Sequence, residues 1–274
     1  MLEMPEAYVL SEQLKNVMVG ARITQVTVNA SPHKLAWFFE NPDDYEERLM
    51  GHLVTDVVPR AGQVELQFEE MRLAVSDGVN IRLYTKGEKI PTKHQLMIEF
   101  DNEKSLVFTV QMYGGLMAFE AGENQNPYYL VTTMKPSPLT DAFDEAYFTN
   151  LLSGEKQTLS LKAFLATEQR IPGLGNGVLQ DILFNAGLHP KKKLSTLSTN
   201  EITDLYVSVK TTLREMTDQG GRNTEKDLYG NVCGYKTRLC SMTQSEPCHK
   251  CGDIIHKESY LGGSIYYCAT CQPL

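Results

Sequence analysis

Features that a membrane or secreted protein needs are missing from this sequence. It has no apolar run near the roughly 20 residues that a membrane-spanning helix requires. Its first residues, MLEMPE, contain two acids and no base, unlike a secretory signal. Cysteine is absent from residues 1–232, which excludes a disulfide-rich scaffold. We therefore expect a cytoplasmic protein without a membrane partner.

The sequence also lacks the excess of positive charge that is typical of duplex-binding proteins. Its formal net charge is −8, and residues 1–150 carry 12 Lys and Arg against 22 Asp and Glu. Residues 151–274 carry 14 against 12 and are nearly balanced. Because a DNA-binding face neutralises phosphates with basic side chains, the first half as a whole is expected to repel DNA. A local basic stripe is compatible with this average.

The spacing of apolar residues changes along the 274 residues between a helical period and a strand-like alternation. Apolar residues recur at helical spacing from Leu10 to Met18, and short alternating runs then extend to residue 119. Asp-Gly, Lys-Gly and Asp-Asn pairs separate these runs, which is typical of an antiparallel sandwich or barrel. Residues 120–139 are rich in Gly, Asn and Pro and predict a linker. Residues 140–220 return to helical spacing and predict a helical domain.

The most specific local pattern is a pair of Cys-x-x-Cys motifs near the C-terminus. Two residues between cysteines let one tight turn direct both sulfurs at one ion, and two such turns complete a tetrahedron. Four thiolates leave no open position, so the site is expected to be structural. Cys233 and Cys240 are spaced wrongly for a second compact site and are interpreted as free thiols. The predicted ligands of the structural Zn²⁺ are Cys248, Cys251, Cys268 and Cys271.

A glycine-rich turn from Arg170 to Asn176 precedes a helical run. Glycine permits backbone conformations that direct N–H groups at one point, and the N-terminus of a helix favours an anion. Asn176 is expected at the N-cap, where its side chain would cap the helix or donate to a phosphate oxygen. A purely structural turn between helices is the more common meaning of such a pattern, so both interpretations stay open.

Four ordered motifs together resemble the Fpg/Nei family, which comprises formamidopyrimidine-DNA glycosylase and endonuclease VIII. The start, LEMPE, resembles the family's Pro-Glu-Leu-Pro-Glu, and PSPL at 136–139 resembles its interdomain motif. IPGLGN at 171–176, followed by ILFNAGLHP at 182–190, resembles its helix-two-turn-helix segment. Residues 247–272 resemble its C-terminal zinc finger.

This resemblance implies an α+β fold in which DNA lies in a cleft. The domains that it implies are an N-terminal β-sandwich with a leading helix over 1–120, a linker over 121–139, a helix-two-turn-helix domain over 140–232 and a β-hairpin zinc ribbon over 233–274.

In the family, as the resemblance implies, an N-terminal proline amine attacks C1′ of a flipped-out nucleotide and forms a Schiff base. Leu2 occupies the position of that proline. Because removal of the initiator methionine requires a small second residue, Met1 is expected to remain and to leave Leu2 with an unreactive amide nitrogen. Glu3 matches the family's sugar-protonating glutamate, and Glu6 matches its second acidic residue. Equally, both are acids that suit the first turn of a helix.

Three further positions depart from the family. Residues 59–63, PRAGQ, have no lysine where relatives carry a catalytic one, and Gly263 stands where relatives carry an arginine. The loop 110–114, VQMYG, lacks the arginine that Fpg members insert beside the flipped base. Each lost phosphate contact lowers the salt dependence of binding by about one unit. The resemblance therefore implies impaired catalysis and weakened DNA binding.

Some of the family's DNA-contacting positions are kept. The predicted DNA-binding residues are Lys162, Gly175 and Asn176, since Lys162 and Asn176 match phosphate-contacting positions in relatives. As an alternative, Lys162 is an ordinary solvated lysine. Residues 220–227, GGRNTEKD, fall where relatives have a loop over the damaged base. As an alternative, this segment only ends the preceding helix, with Gly220 or Gly221 as its C-cap. The lysine run 191–193 supports DNA binding, or is a solvated loop.

Three functions are compatible with these patterns. The first is a DNA-lesion-binding protein of base excision repair ancestry that is catalytically impaired or silent. The second is an active DNA glycosylase and abasic-site lyase that uses another amine, such as that of Met1. The third is a protein-interaction scaffold that no longer binds DNA, which the acidic balance favours. Borohydride trapping, salt-dependent DNA binding and a protein partner in pull-downs distinguish the three.

Overall fold

The structure is a computed structural model that describes residues 1–274. The chain folds into two compact units. Unit 1 comprises Met1–Thr133 and Gly220–Gly234, and unit 2 comprises Met134–Gln219 and Tyr235–Leu274. The segment Gly220–Gly234 therefore packs with the N-terminal residues, although most of it falls in the predicted helical domain. The domain boundaries at 120, 139 and 232 stay a prediction.

Nine strands of unit 1 confirm the predicted sandwich. They are β1 (Ile23–Val28), β2 (Ala36–Phe38), β3 (Val54–Arg60), β4 (Gln63–Phe68), β5 (Met71–Ser76), β6 (Val79–Thr85), β7 (Leu96–Phe100), β8 (Lys104–Val110) and β9 (Gly114–Glu120). One sheet has the order β1-β7-β8-β6, and the other has the order β2-β9-β5-β4-β3. All neighbours are antiparallel except the parallel pair β2–β9. Buried residues from both sheets, such as Ile98 and Leu73, share one hydrophobic core.

Three helices accompany the sheets: α1 (Met4–Met18), α2 (Tyr45–Leu49) and α3 (Pro127–Met134). Pro5 lies in the first turn of α1, where its missing N–H costs no hydrogen bond. Leu10, Leu14 and Met18 are buried on one side of α1, as their spacing predicts. Helix α3 falls inside the predicted linker. Its Pro127 stands at a helix start and not in an irregular connection.

Tyr45 fixes helix α2 to the second sheet of unit 1. Its side chain is fully buried, and its hydroxyl donates to the Leu116 carbonyl at 2.7 Å. The same oxygen accepts from the amides of Phe39 at 2.8 Å and Ala118 at 3.1 Å. Burial raises the pKa of Tyr45 to about 12, against the opposing effect of the two amides. One phenol therefore satisfies two backbone groups within β9 and one directly after β2.

Unit 2 consists of four helices and one hairpin. The elements are α4 (Glu145–Ser153), α5 (Leu161–Ala166), α6 (Asn176–Asn185), α7 (Thr199–Asp218), β10 (Ile255–Tyr260) and β11 (Gly263–Cys268). The side chains of Asp144, Ser160 and Ser198 accept backbone N–H groups at the starts of α4, α5 and α7. These helices confirm the predicted helical region. None of the helices combines the length and hydropathy that crossing a membrane requires.

A buried carboxylate joins helix α6 to the segment that leads into the hairpin. Asp181 accepts from the Arg238 amide at 2.9 Å, the Leu239 amide at 2.8 Å and the Tyr235 hydroxyl at 3.0 Å. Burial raises the pKa of the Asp181 carboxyl, and the bonds from the two amides and the phenol oppose that rise. The segment before the cysteine motifs is therefore held on unit 2 by polar contacts as well as apolar ones.

Candidate functional site

Two acids at the start of α1 and one arginine form a buried ion cluster in unit 1. Arg222 donates from Nε to Glu6 Oε1 at 3.0 Å and from Nη2 to Glu6 Oε2 at 2.7 Å. Its Nη1 lies 3.4 Å from Glu3 Oε1. The side chains of Arg222, Glu3 and Glu6 are only 4%, 5% and 3% exposed. The structure therefore brings Glu3 and Glu6 together, with a guanidinium against both.

Local backbone geometry explains how the arginine reaches the helix. Glu3 is the N-cap residue of α1, and its amide donates to Glu6 Oε2 at 3.3 Å. Gly221, at φ +93°, turns the chain, and a Cβ there would meet Cys233 Sγ at 3.2 Å and Glu6 Cγ at 3.5 Å. The Arg222 amide also donates to Glu6 Oε1, at 3.0 Å. Glu6 therefore both caps the helix start and anchors the incoming segment.

The electrostatics of the cluster favour its charged form. Burial alone would lower the pKa of Arg222, but the charges of Glu3 and Glu6 more than offset burial and raise that pKa. A bidentate arginine–carboxylate pair is among the stronger polar contacts in proteins. Both carboxylates are thus engaged by a permanently charged partner, and neither is an isolated acid in an apolar pocket.

The first two residues are also engaged. The Leu2 nitrogen is an amide that donates to the Asp77 carbonyl at 2.7 Å, and the residue is 9% exposed. The Met1 ammonium lies 2.5 Å from Glu225 Oε2, and Arg222 Nη2 donates to the Met1 carbonyl at 3.3 Å. An amide lone pair is delocalised, so the Leu2 nitrogen is not a nucleophile, and the Met1 amine is held by the Glu225 carboxylate in this arrangement.

In unit 2, Lys162 and Asn176 lie together against the tip of the β10–β11 hairpin. Lys162 Nζ donates to the Tyr260 carbonyl at 2.5 Å, and Asn176 Nδ2 donates to the Ser264 carbonyl at 2.9 Å. The expected N-cap role of Asn176 is wrong: α6 begins at Asn176, and Gly175 is its N-cap. The predicted residues Lys162, Gly175 and Asn176 therefore do come together, around the N-terminus of α6.

The groups at this helix start are suited to an anion. Lys162 is only 3% exposed, and burial lowers the pKa of its ammonium. The ammonium forms no ion pair, and its hydrogen-bond acceptor is the Tyr260 carbonyl. A Cβ at Gly263 would lie 3.3 Å from Lys162 Nζ and 3.6 Å from Asn176 Oδ1, so both side chains occupy the space beside that glycine. An incompletely compensated buried ammonium next to a helix N-terminus is a physical description of an anion-binding site.

The lysine run 191–193 is less available than the sequence indicates. Lys191 forms an ion pair with Glu258, and its ammonium lies 5.3 Å from the centre of the Tyr260 ring. Lys192 forms an ion pair with Glu201 at 2.5 Å. Two of the three lysines therefore already have carboxylate partners inside unit 2, and the run adds less to an anion-binding surface than its charge indicates.

The four predicted zinc ligands form one cluster. Their ligand atoms all lie within 4.8 Å of one another, with Cys248 and Cys271 sulfurs 3.8 Å apart and Cys251 and Cys268 sulfurs 3.4 Å apart. Zn–S bonds of about 2.3 Å in a tetrahedron require sulfurs about 3.8 Å apart. The donor set and the spacing fit a structural zinc ion. Around it pack Phe184, Leu239, Ile255 and Tyr266.

Sequence reasoning missed the two residues that complete the N-terminal site, Arg222 and Glu225. Both fall in the 220–227 segment, which the sequence indicates only as a loop or a helix end. The only available signal was an arginine and a glutamate in a segment that the resemblance places near the site of the LEMPE acids. A pair separated by 216 positions, such as Arg222 with Glu6, leaves no periodicity in a single sequence.

Comparison with known proteins identifies the family. The N-terminal domain of formamidopyrimidine-DNA glycosylase matches residues 1–111, and the H2TH domain of the same enzyme matches residues 134–227. This chain belongs to the Fpg/Nei family. A formamidopyrimidine-DNA glycosylase of Dinoroseobacter shibae is 27% identical over 296 aligned residues, which cover 99% of this chain and 100% of that protein. One of Bacillus cereus is 27% identical over 284 residues, covering 100% and 99%.

Solved structures agree on the fold. Lactococcus lactis Fpg in complex with DNA containing an abasic site has a TM-score of 0.85 and 22% identity, covering 99% of this chain and 100% of that one. The same protein with DNA containing Fapy-dG also has a TM-score of 0.85 and 22% identity, with the same coverage. The α+β Fpg fold, with an N-terminal β-sandwich, a helix-two-turn-helix domain and a hairpin with four cysteines, is therefore established for this chain.

Proposed function

We propose that this chain is a DNA-binding protein of base excision repair ancestry that has no glycosylase or lyase activity. The observation that carries the proposal is the bidentate pair between Arg222 and Glu6, with Glu3 beside the same guanidinium. A carboxylate whose oxygens accept hydrogen bonds from an arginine is already engaged and is not positioned to transfer a proton to a sugar. The acids that the family uses for catalysis thus serve here to hold the Gly220–Gly234 segment.

Leu2 supports the loss of covalent chemistry. Its nitrogen is an amide and already donates to the Asp77 carbonyl at 2.7 Å. Schiff-base formation needs an amine whose lone pair is free to attack a carbonyl-like carbon. Residues 59–63 also lack a lysine that would assist. The nucleophile and the assisting lysine are therefore replaced, and the two retained acids are engaged by Arg222.

Binding to DNA is supported by a separate part of the chain. Lys162 and Asn176 lie at the N-terminus of α6, and Gly175 allows an approach to its backbone N–H groups. A phosphate there would satisfy the buried ammonium. The Lactococcus lactis relative has been crystallised with DNA that contains an abasic site. We infer that the anion bound by Lys162 and Asn176 is a phosphate of DNA.

One observation favours the alternative of an active enzyme. The Met1 amine lies in the same cluster as Glu3 and Glu6, since Arg222 contacts the Met1 carbonyl as well as both acids. Release of Met1 from Glu225 would expose a primary amine near these carboxylates. That amine is displaced by one residue from the family position, about 3.5 Å along the chain. Such a displacement is expected to abolish most of the rate.

The test is borohydride trapping together with a mobility-shift assay. Protein whose N-terminus has been verified by intact mass is incubated at low salt with duplexes that contain an abasic site or 8-oxoguanine. We expect a salt-dependent shift and no covalent adduct, because binding uses phosphates while the amine and acids are engaged. A trapped adduct would overturn the proposal in favour of an active enzyme. Neither adduct nor shift would overturn it in favour of a protein-interaction scaffold.

Replacing Lys162 with methionine is expected to weaken DNA binding and to stabilise the fold. Burial disfavours the Lys162 ammonium, so an apolar side chain of similar length removes that penalty. A gain of about 1 kcal/mol would raise the Tm by roughly 2–4 °C. Thermal melts and mobility shifts measure the two effects. Lys156→Met, at an exposed lysine, is the matched control, and we expect it to change neither the Tm nor the DNA affinity. A Lys162→Met variant with a lower Tm and normal DNA affinity would contradict the assignment of Lys162 to a phosphate site.

A further inference from the structure

Gln180 on helix α6 is a buried polar residue to which the proposed function gives no role. The residue is only 2% exposed. Its Nε2 donates to the Asn176 carbonyl at 2.9 Å and to the Ser264 carbonyl at 3.2 Å, and its Oε1 accepts from the Tyr266 amide at 3.0 Å. A side-chain amide has two N–H donors and one oxygen. Both donors of Gln180 and its oxygen are therefore engaged by backbone groups, and no donor is left for a ligand.

The Ser264 carbonyl also accepts from a second side-chain amide. Asn176 Nδ2 donates to it at 2.9 Å. Asn176 and Gln180 are four residues apart on α6, so their side chains lie on the same face of the helix, one turn apart. One carbonyl of strand β11 thus joins two successive turns of α6. Because the nitrogen of a side-chain amide carries two hydrogens, Asn176 retains a second N–H for a phosphate oxygen.

The direction of that second N–H depends on the position of the Ser264 carbonyl. The NH₂ group of an amide is planar, so the direction of one N–H bond sets the direction of the other. Gln180 holds the Ser264 carbonyl and, two residues further along β11, the Tyr266 amide. The strand therefore cannot slide along α6 without breaking both bonds. Groups that bind a ligand need such support, since a tolerance of about 0.5 Å separates a productive geometry from a loose one.

We propose that Gln180 is a positioning residue for Asn176 in the phosphate site. By fixing the Ser264 carbonyl, Gln180 orients the Asn176 amide so that its second N–H faces the anion at the N-terminus of α6. The identity of this anion, a phosphate of DNA, rests on the function proposed above. Lys162 is independent of this arrangement, because its ammonium donates to the Tyr260 carbonyl and not to Ser264.

A purely structural role for Gln180 has different consequences. If its bonds only attached the hairpin to α6, their loss would displace Tyr260 as well as Ser264, because both residues lie at the tip of the same hairpin. The contacts of Lys162 and of Asn176 with phosphate would then weaken together. The four-cysteine cluster and the apolar residues around it also hold the hairpin, so we expect it to stay folded without Gln180.

The test is a double-mutant cycle on DNA affinity with Gln180→Met and Asn176→Ala. Anisotropy titrations use a labelled duplex that contains an abasic site. Gln180→Met, which replaces the amide with an apolar side chain of similar length, should bind about fivefold more weakly than wild type, the order expected for one hydrogen bond. In the Asn176→Ala background the same change should have an effect below about twofold, because the group that Gln180 orients is gone. Gln25→Met, at an exposed glutamine of β1, is the matched control and should leave the affinity unchanged.

The salt dependence of binding separates the Asn176 contact from the Lys162 contact. Gln180→Met should keep the wild-type salt slope and one zinc per chain, whereas release of Lys162 from its phosphate would lower the slope by about 0.9. An equal loss of affinity in both backgrounds, a lower slope or a loss of zinc would overturn the inference, because each would show that Gln180 holds the hairpin as a whole. Unchanged affinity of Gln180→Met would contradict it too. If wild type itself showed no salt-dependent binding to the duplex, the proposed function would fail, and this role with it.

Discussion

Replacing Arg222 with alanine is expected to lower the free energy of unfolding by about 3–5 kcal/mol, the range for breaking a buried ion pair from one side. The reason is that the buried carboxylates of Glu3 and Glu6 would remain without their cation. Glu3 and Glu6 are 5% and 3% exposed, and both face the guanidinium. Without it, two carboxylates would stay buried within one turn of a helix and repel each other.

Three variants separate this charge effect from a mere loss of side-chain volume. Arg72→Ala is the matched control, because Arg72 donates only to the Glu69 and Met71 carbonyls. It should cost under about 1 kcal/mol, as most surface changes do. Glu3→Gln/Glu6→Gln/Arg222→Met removes all three charges together and should recover most of the stability that Arg222→Ala loses. Urea unfolding followed by circular dichroism gives each value.

Acidity offers an independent check on the Arg222→Ala result. In Arg222→Ala the two buried carboxylates have no cation beside them, so burial favours their protonated form. Lowering the pH from about 8 to about 5 should therefore reduce the difference in unfolding free energy between Arg222→Ala and wild type. A gap that stays constant, together with a triple variant as unstable as Arg222→Ala, would show that packing and not charge holds the segment. In that case the ion pairs of Glu3 and Glu6 with Arg222 would contribute little to the free energy of unfolding.

Sequence reasoning found the parts of this molecule that are local. The Cys-x-x-Cys spacing encodes the four-cysteine cluster because each pair closes one tight turn. Alternation predicted the strands, and helical spacing predicted α1 and the helices of unit 2. Helix α3 was hidden because eight residues that follow a stretch of Gly and Asn carry little periodicity.

Contacts between residues that are far apart in the sequence could not be predicted, because they leave no local pattern. Asn176 was expected to cap α6 or to donate to a phosphate oxygen, but its side-chain amide donates to the Ser264 carbonyl, 88 positions away. The lysine run 191–193 has the composition of a nucleic-acid contact, yet Glu258 and Glu201 neutralise two of its members. Arg222 and Glu6 illustrate the general limit, since neither residue type nor spacing distinguishes a buried ion pair from two solvated charges.

Removal of zinc is expected to have the largest effect of any single change. Structural zinc contributes about 10–16 kcal/mol of apparent binding free energy in finger peptides, and most of it is folding free energy. The small apolar cluster around the cysteines, Phe184 with Tyr266 and Ile255, is too limited to replace that contribution. Chelation or Cys268→Ser should therefore unfold the hairpin β10–β11.

The effect should extend from the hairpin to the residues proposed to bind phosphate. Gln180 on α6 donates to the Ser264 carbonyl at 3.2 Å and accepts from the Tyr266 amide at 3.0 Å, so the hairpin and the helix share hydrogen bonds. Lys162 and Asn176 take their acceptors from Tyr260 and Ser264. If the hairpin unfolded, Lys162 and Asn176 would lose the acceptors that hold their side chains in place. The affinity for DNA should therefore fall as the zinc content falls.

Zinc per chain measured by mass spectrometry, hydrogen exchange over 255–268 and mobility shifts test this coupling together. Cys233→Ser is the matched control, because Cys233 is a buried thiol outside the four-cysteine cluster. It should keep one zinc per chain and normal exchange, whereas Cys268→Ser should lose the metal, the protection of the hairpin and the DNA shift in parallel. If Cys268→Ser lost zinc but kept protection at Tyr260 and Ser264, the hairpin would be held by α6 alone. The metal would then be dispensable for positioning Lys162 and Asn176.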